Sequence, residues 1–262
     1  MANPTYSTQG WIARLLSNAR RISADGTLSD ATGGRTGANQ EPYVLPLAGQ
    51  GREMLADEGS YFTSALTSTP GTGIANGAAV TAYVTTTPFI VIQNTDNLKS
   101  ITLDFIRATM TAAQTTATNL RATTEIDQIL RYTSGATSII NATGATNGSI
   151  ATPRTSLSAP STVQVFGGPI TAAAAGLNRK LLSTNLALRT VIAVVGDTWM
   201  FKFGSATGDT GGGVLNGTNP TQFVVPHVPV VIDPGHSFLL NLWAAAQTVA
   251  GSYEVDIGGW LR

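Results

Sequence analysis

Two histidines and an aspartate, His227, Asp233 and His236, lie within ten positions of one another, and two imidazoles with a carboxylate are a donor set that can hold Zn²⁺ or Fe²⁺. They flank the turn Asp233-Pro234-Gly235, which puts the histidines on consecutive strands beside a bend; hydrogen-bonded or interfacial histidine is the simpler reading. Two acidic pairs, Glu125 with Asp127 and Glu254 with Asp256, have members two residues apart. On a strand that spacing places both carboxyls on one face, as a glycoside hydrolase could use. Exposed strand faces commonly carry such pairs as solvated charge, and no groove lined by aromatics accompanies either one.

Gly211-Gly212-Gly213 follows a strand, but neither a helix-opening motif nor a Lys-Ser/Thr pair comes after it, so a phosphate cradle is not supported. Serine is abundant, yet none sits in a nucleophile-elbow pattern, and two histidines make a triad improbable on numbers alone. The sequence therefore predicts no catalytic residue, no metal site and no cofactor.

The residues with a positional signal of another kind are near the amino end. Trp11, Ile12, Leu15, Leu16, Ala19 and Ile22 recur at helical spacing, with Arg14, Ser17, Arg20 and Arg21 on the opposite side. The pattern predicts a helix over 11–22 whose apolar stripe is an interface. Docking into a protein groove, packing on its own domain and lying on a membrane surface are the readings open to it. Asp25 and Gly26 stop the helix, and the next forty or so residues, with Gly33, Gly34, Gly37, Pro42, Pro46, Gly49 and Gly51, have many breakers and little periodicity. A structureless stretch of that length is unusual inside a domain. The expectation is an extended arm ordered on a neighbouring subunit, giving a helix and arm over 1–78 and a β-sandwich over 79–262.

The remainder reads as short strands. Ala82, Val84 and Thr86 alternate before Pro88 and the run Phe89 to Ile92. Ile101, Leu103 and Phe105 share one face of a strand. Leu120 to Tyr132 mixes helical and strand signals, and its surroundings favour strand. Residues 134–162, nearly all Ser, Thr, Ala, Gly, Asn and Pro, read as surface loop or weak hairpin. Ala172 to Leu182 suggests a short helix interrupted by Gly176. Val191 to Val195, Gly196-Asp197 and Trp199 to Phe203 read as a hairpin. Phe223 to Ile232 contains Pro226 and Pro229, which confine it to a sheet edge or bulge. Phe238 to Trp243 and Tyr253 to Trp260 form a closing pair. Many short strands, no alternating helices and frequent Gly and Pro turns predict an all-β fold, an antiparallel β-sandwich with jelly-roll topology.

Composition bounds the partners. Only 11% of the 262 residues are charged, against the usual quarter, and fifteen basic residues balance fifteen acidic ones. No net field draws the chain to nucleic acid or an anionic membrane. The absence of Cys excludes a disulfide framework, a thiolate metal site and a Cys nucleophile. Neither a secretion signal nor a bilayer-spanning apolar stretch is evident. An exterior of Thr, Ser, Ala, Gly and Asn suits a surface covered by neighbours, so the chain reads as part of an assembly.

The segment Pro229-Val-Val-Ile-Asp-Pro-Gly-His-Ser-Phe-Leu-Leu-Asn-Leu-Trp243, followed by Ser252-Tyr-Glu-Val-Asp-Ile-Gly-Gly-Trp260, resembles the end of jelly-roll structural proteins of tailed bacteriophage virions. Pro88-Phe-Ile-Val-Ile-Gln-Asn94, Ile101-Thr-Leu-Asp-Phe105 and Val195-Gly-Asp-Thr-Trp199 add to the likeness, which covers roughly half the chain and none of the first sixty residues. The resemblance implies a virion component made in the bacterial cytoplasm. The expected role is a capsid decoration or cement protein, a homo-oligomer (a trimer by expectation) bridging copies of the major capsid protein or other virion proteins. A head or tail spike that binds a receptor or glycan through loops 134–161 and 204–220 is the alternative. A small depolymerase using one of the acidic pairs is a third.

Overall fold

The computed structural model describes residues 20–22, 28–30, 60–65, 71–76, 81–115, 118–135, 138–140, 149–151, 162–172, 178–189, 192–204, 222–245 and 247–262. The chain divides into two units, residues 1–51 and 52–262.

In the first unit, β1 (Arg20–Ile22) pairs antiparallel with β2 (Leu28–Asp30), with Arg20 opposite Asp30 and Ile22 opposite Leu28. This corrects the helix expected over 11–22 at its carboxyl end. Ladder bonds between residues 20–22 and 28–30 take up backbone groups that a last helical turn would have used, and Asp25 and Gly26, the expected helix stop, lie outside the described residues. Of the expected interface residues, Ile22 is in β1; Trp11, Ile12, Leu15, Leu16 and Ala19 lie outside the described residues.

The second unit contains β3 (Tyr61–Ala65), β4 (Ile74–Ala75), β5 (Ile90–Asn94), β6 (Ile101–Ala112), β7 (Thr118–Asp127), β8 (Tyr132–Ser134), β9 (Ser138–Ile140), β10 (Ser149–Ala151) and β11 (Val163–Gly167). It continues through β12 (Thr171–Ala172), β13 (Lys180–Arg189), β14 (Thr198–Phe203), β15 (Gln222–His227), β16 (Val231–Ile232), β17 (Ser237–Ala245) and β18 (Ser252–Leu261). No helix occurs among the described residues.

Two sheets face each other. One has the order β10-β3-β18-β6-β14-β15, with β4 on β18 and β16 on β6; the other runs β13-β7-β17-β5-β11-β9. Their centres are β3-β18-β6-β14 and β5-β17-β7-β13, antiparallel throughout. Counting those eight strands in chain order gives 1-8-3-6 and 2-7-4-5, the jelly-roll arrangement, so the all-β antiparallel sandwich expected from the sequence is the fold found. Additions flank this centre: β11 and β9 extend one sheet, and β15 joins β14 in parallel.

Period-two patterning decides what the sandwich encloses. Alternate residues Tyr253, Val255 and Ile257 of β18, Trp199, Phe201 and Phe203 of β14, and Phe238, Leu240 and Leu242 of β17 meet in one core. Cross-sheet contacts lock it. Phe203 and Phe238 stand edge to face with centroids 5.6 Å apart. The indole N–H of the fully buried Trp199 donates to the Leu188 carbonyl at 3.2 Å.

Four local expectations change. The body begins before residue 79, because β3 pairs with the carboxyl-terminal strand β18. The alternation at Ala82, Val84 and Thr86 is not a strand; residues 81–88 are turns and coil that fold onto a sheet face. Lys180 and the two leucines that follow it, expected to end a helix, begin β13, because pairing with β7 outweighs the local helix-forming Ala run. The hairpin at Gly196-Asp197 is absent. Gly196 does adopt φ 93°, but the turn carries the chain from β13 in one sheet to β14 in the other. The Asp233-Pro234-Gly235 turn is as expected, with Gly235 at φ 76° and His236 N–H donating to the Asp233 carbonyl at 3.1 Å. Pro226 falls in β15, the outermost strand of its sheet.

Candidate functional site

Every described position of β17 up to Leu242 is buried on both faces, which is unusual for an antiparallel strand unless its outer face is also covered. Residues 81–88 and the turn after β7 supply that cover. Beneath them a small second apolar cluster, Val91, Phe166, Ile170 and Leu239, is capped by Tyr132, whose ring stacks on Phe166 at 3.7 Å.

Beside this cluster the same face carries Glu125 and Asp127, adjacent in register to Leu239 and Ser237. Both carboxylates and the Arg131 side chain have no exposed surface. Arg131 Nη1 donates to Asp127 Oδ2 at 2.6 Å and lies 4.0 Å from Glu125 Oε1. Its Nη2 donates to the Thr85 carbonyl at 2.8 Å. The Tyr83 hydroxyl donates to Glu125 Oε2 at 2.6 Å, and Arg179 Nε stands 3.4 Å from that oxygen while its guanidinium lies over the Tyr83 ring. Below, Ser237 Oγ accepts from the Arg131 N–H at 3.0 Å and donates to the Ile129 carbonyl at 2.8 Å. With its amide turned to satisfy both neighbours, Gln93 accepts from the N–H groups of Arg131 and Tyr132.

Burial pushes the Glu125 carboxyl above its ordinary value, against the opposing pull of Tyr83, Arg179 and Arg131. Burial and the adjacent carboxylate push the Tyr83 hydroxyl up to about 12. A raised glutamate beside a second carboxylate is the signature of an acid–base pair. Here, however, no substrate reaches either carboxylate while residues 81–88 and 128–134 stay in place. The arrangement is suited to fastening two irregular segments onto a sheet, because a buried pair that loses one partner leaves an uncompensated charge.

The other sequence-derived candidates are dispersed. Glu254 and Asp256 are on the solvent side of β18, where Asp256 pairs with Arg107 and Glu254 Oε1 accepts from the Gly71 N–H. His227 is buried between the sheets and bonded to Thr124. Asp233 Oδ1 accepts from the Ser100 hydroxyl, and no metal-binding cluster of His and carboxylates forms among the described residues. Gly211, Gly212 and Gly213 lie outside the described residues. Sequence reasoning missed Tyr83, Thr85, Arg131 and Arg179. The available signal was Arg131 four positions after Asp127 in a chain so poor in charge; nothing in the sequence tied Tyr83, Thr85 or Arg179 to the pair.

Fold and site together define an antiparallel jelly-roll sandwich with a buried ion network under a two-segment cover. No family model matches the chain, and neither a curated protein nor a solved structure matches it.

Proposed function

We propose that this protein is a structural component of a tailed-phage virion, a decoration (cement) protein that joins copies of itself, as a trimer, to the major capsid protein and bridges shell subunits. The observation that carries the reading is where the scarce charge goes. Glu125, Asp127, Arg131, Arg189 and Asp197 are buried and paired with one another, and Arg179 and Arg107 close further pairs. Among the described residues, burial of those five groups leaves the exterior poorer in charge than composition alone implies, as the centre of a protein–protein interface is. The jelly roll, a fold used for viral capsid domains, supports the same reading.

The described surface also offers a preorganised contact. Leu98, 90% exposed, stands on the turn between β5 and β6. Asp96 fixes that turn, its Oδ1 accepting from the N–H groups of Leu98 and Lys99 at 2.8 and 2.9 Å. These bonds hold the Asp96 carboxyl below its ordinary value. An apolar side chain on a turn that needs no ordering binds without that entropic cost.

The test is addition of the purified protein to expanded capsids that lack it, read by sedimentation and by capsid thermal stability. Saturable binding that raises the disruption temperature is expected, with Leu98→Ser weakening binding while leaving the protein's own melting unchanged. Failure to bind, or binding to host cells or glycans instead, overturns the cement role.

A further inference from the structure

We propose that His227 is an acid-sensitive clasp that closes one flank of the sandwich, holding the added strand β15 against the opposite sheet only while its ring is uncharged. The flank lies between the outermost strands β15 and β13. There β15 is an extra strand, attached in parallel to β14, with residues 222 to 227 opposite residues 198 to 203. At its end the His227 ring reaches between the sheets. Nε2 lies 2.6 Å from Thr124 Oγ1 on β7, and that hydroxyl is 2.7 Å from Ser183 Oγ on β13. Nδ1 is 3.0 Å from the Val228 carbonyl, and the ring packs at 5.0 Å from Phe203. One imidazole thereby ties the extra strand to two strands of the other sheet.

The carbonyl of Val228 can only accept, so Nδ1 carries the proton and Nε2 accepts from Thr124, whose hydroxyl in turn accepts from Ser183. A second proton on Nε2 would reverse that relay and place a cation against Phe203. The groups around the ring offer it no counter-charge: Thr124 from β7, Ser183 from β13, Phe203 from β14 and the Val228 carbonyl are all neutral. Glu125 follows Thr124 on β7 and so points to the other face, and Lys202 is likewise on the opposite side of β14. No ion pair to His227 forms among the described residues. Burial accordingly holds the imidazolium form down, with the Val228 bond acting weakly the other way.

The sign follows from linkage. With its packed value below the ordinary His value of about 6.5, the ring contributes closure that is complete above that pH and is lost as pH falls toward the packed value. Released histidine gains protons that packed histidine refuses. Opening of β15 therefore grows by at most about thirtyfold between pH 8 and pH 5, the limit set by the ordinary His value.

The experiment uses the full chain. Backbone hydrogen exchange is measured at pH 8 and pH 5, corrected for the intrinsic rate, and the ring proton of His227 is followed by NMR. Expected are faster corrected exchange at Val224 and Val225, no comparable change in β18, and a titration of His227 below that of a free histidine peptide. His227→Gln, which cannot be charged, should remove the pH dependence. Should that variant fail to fold, the wild-type exchange data decide alone. Corrected exchange in β15 that does not differ between pH 8 and pH 5, or an ordinary titration of His227, overturns the proposal.

Discussion

Glu125 with Asp127 and Glu254 with Asp256 are the same local pattern, two carboxylates two residues apart on a strand, and they meet opposite fates. The first pair lies under residues 81–88 and 128–134 with no exposed surface. The second is open, its Asp256 partly exposed beside a half-exposed Arg107. Spacing sets which side of a strand a pair shares. Whether that side is wet depends on segments distant in the chain, such as the one carrying Tyr83, forty-two residues from Glu125. The same charge is therefore structural in one place and nearly inert in the other.

Three substitutions break or sharpen this contrast. Asp127→Asn removes the close partner of the fully buried Arg131, and a loss of about 3 to 5 kcal/mol is expected from urea unfolding. A loss below about 1 kcal/mol would show that the cover does not exclude water as the geometry requires. Glu125→Gln probes the raised carboxyl. Because the folded state binds this proton more readily than the unfolded chain, the group's own contribution to stability grows as pH falls from neutral toward the ordinary Glu value of about 4.3. The stability difference, wild type minus variant, should therefore become more favourable to wild type at pH 5 than at pH 7; an opposite slope would mean that the arginines outweigh burial. Asp256→Asn is the smallest case. Its exposed pair with Arg107 should contribute less than about 0.5 kcal/mol, measured the same way and weakening further in salt.

The fold was legible where a strand is buried on one face only. Tyr253, Val255 and Ile257 alternate with Glu254 and Asp256, and the core takes the first set. The Asp233-Pro234-Gly235 turn was legible because its backbone geometry is dictated by the residues themselves. Misreadings arose where non-local pairing overrode local preference. The Ala-rich stretch before β13 favours a helix, yet β7 recruits the residues after it into a strand. Gly196-Asp197 has hairpin chemistry, but the turn that forms is centred on Val195 and Gly196 and joins different sheets. The ion network was half visible: the acidic pair stood out, while Tyr83, Arg131 and Arg179 are brought to it by the topology, which spacing does not encode.

The outer margins of the two sheets carry a consequence of their own. On one flank β15 contains Pro226, which lacks a backbone donor, and the long β13 breaks register with β7 at three points, after Leu181, Ser183 and Ala187. On the other, β9 and β10 are three residues each. Proline, bulges and brevity are the devices by which rims resist templating a foreign strand. The described rims of both sheets thus give an incoming extended segment little unbroken backbone to zip onto, so edge-to-edge growth into fibrils is disfavoured at either flank.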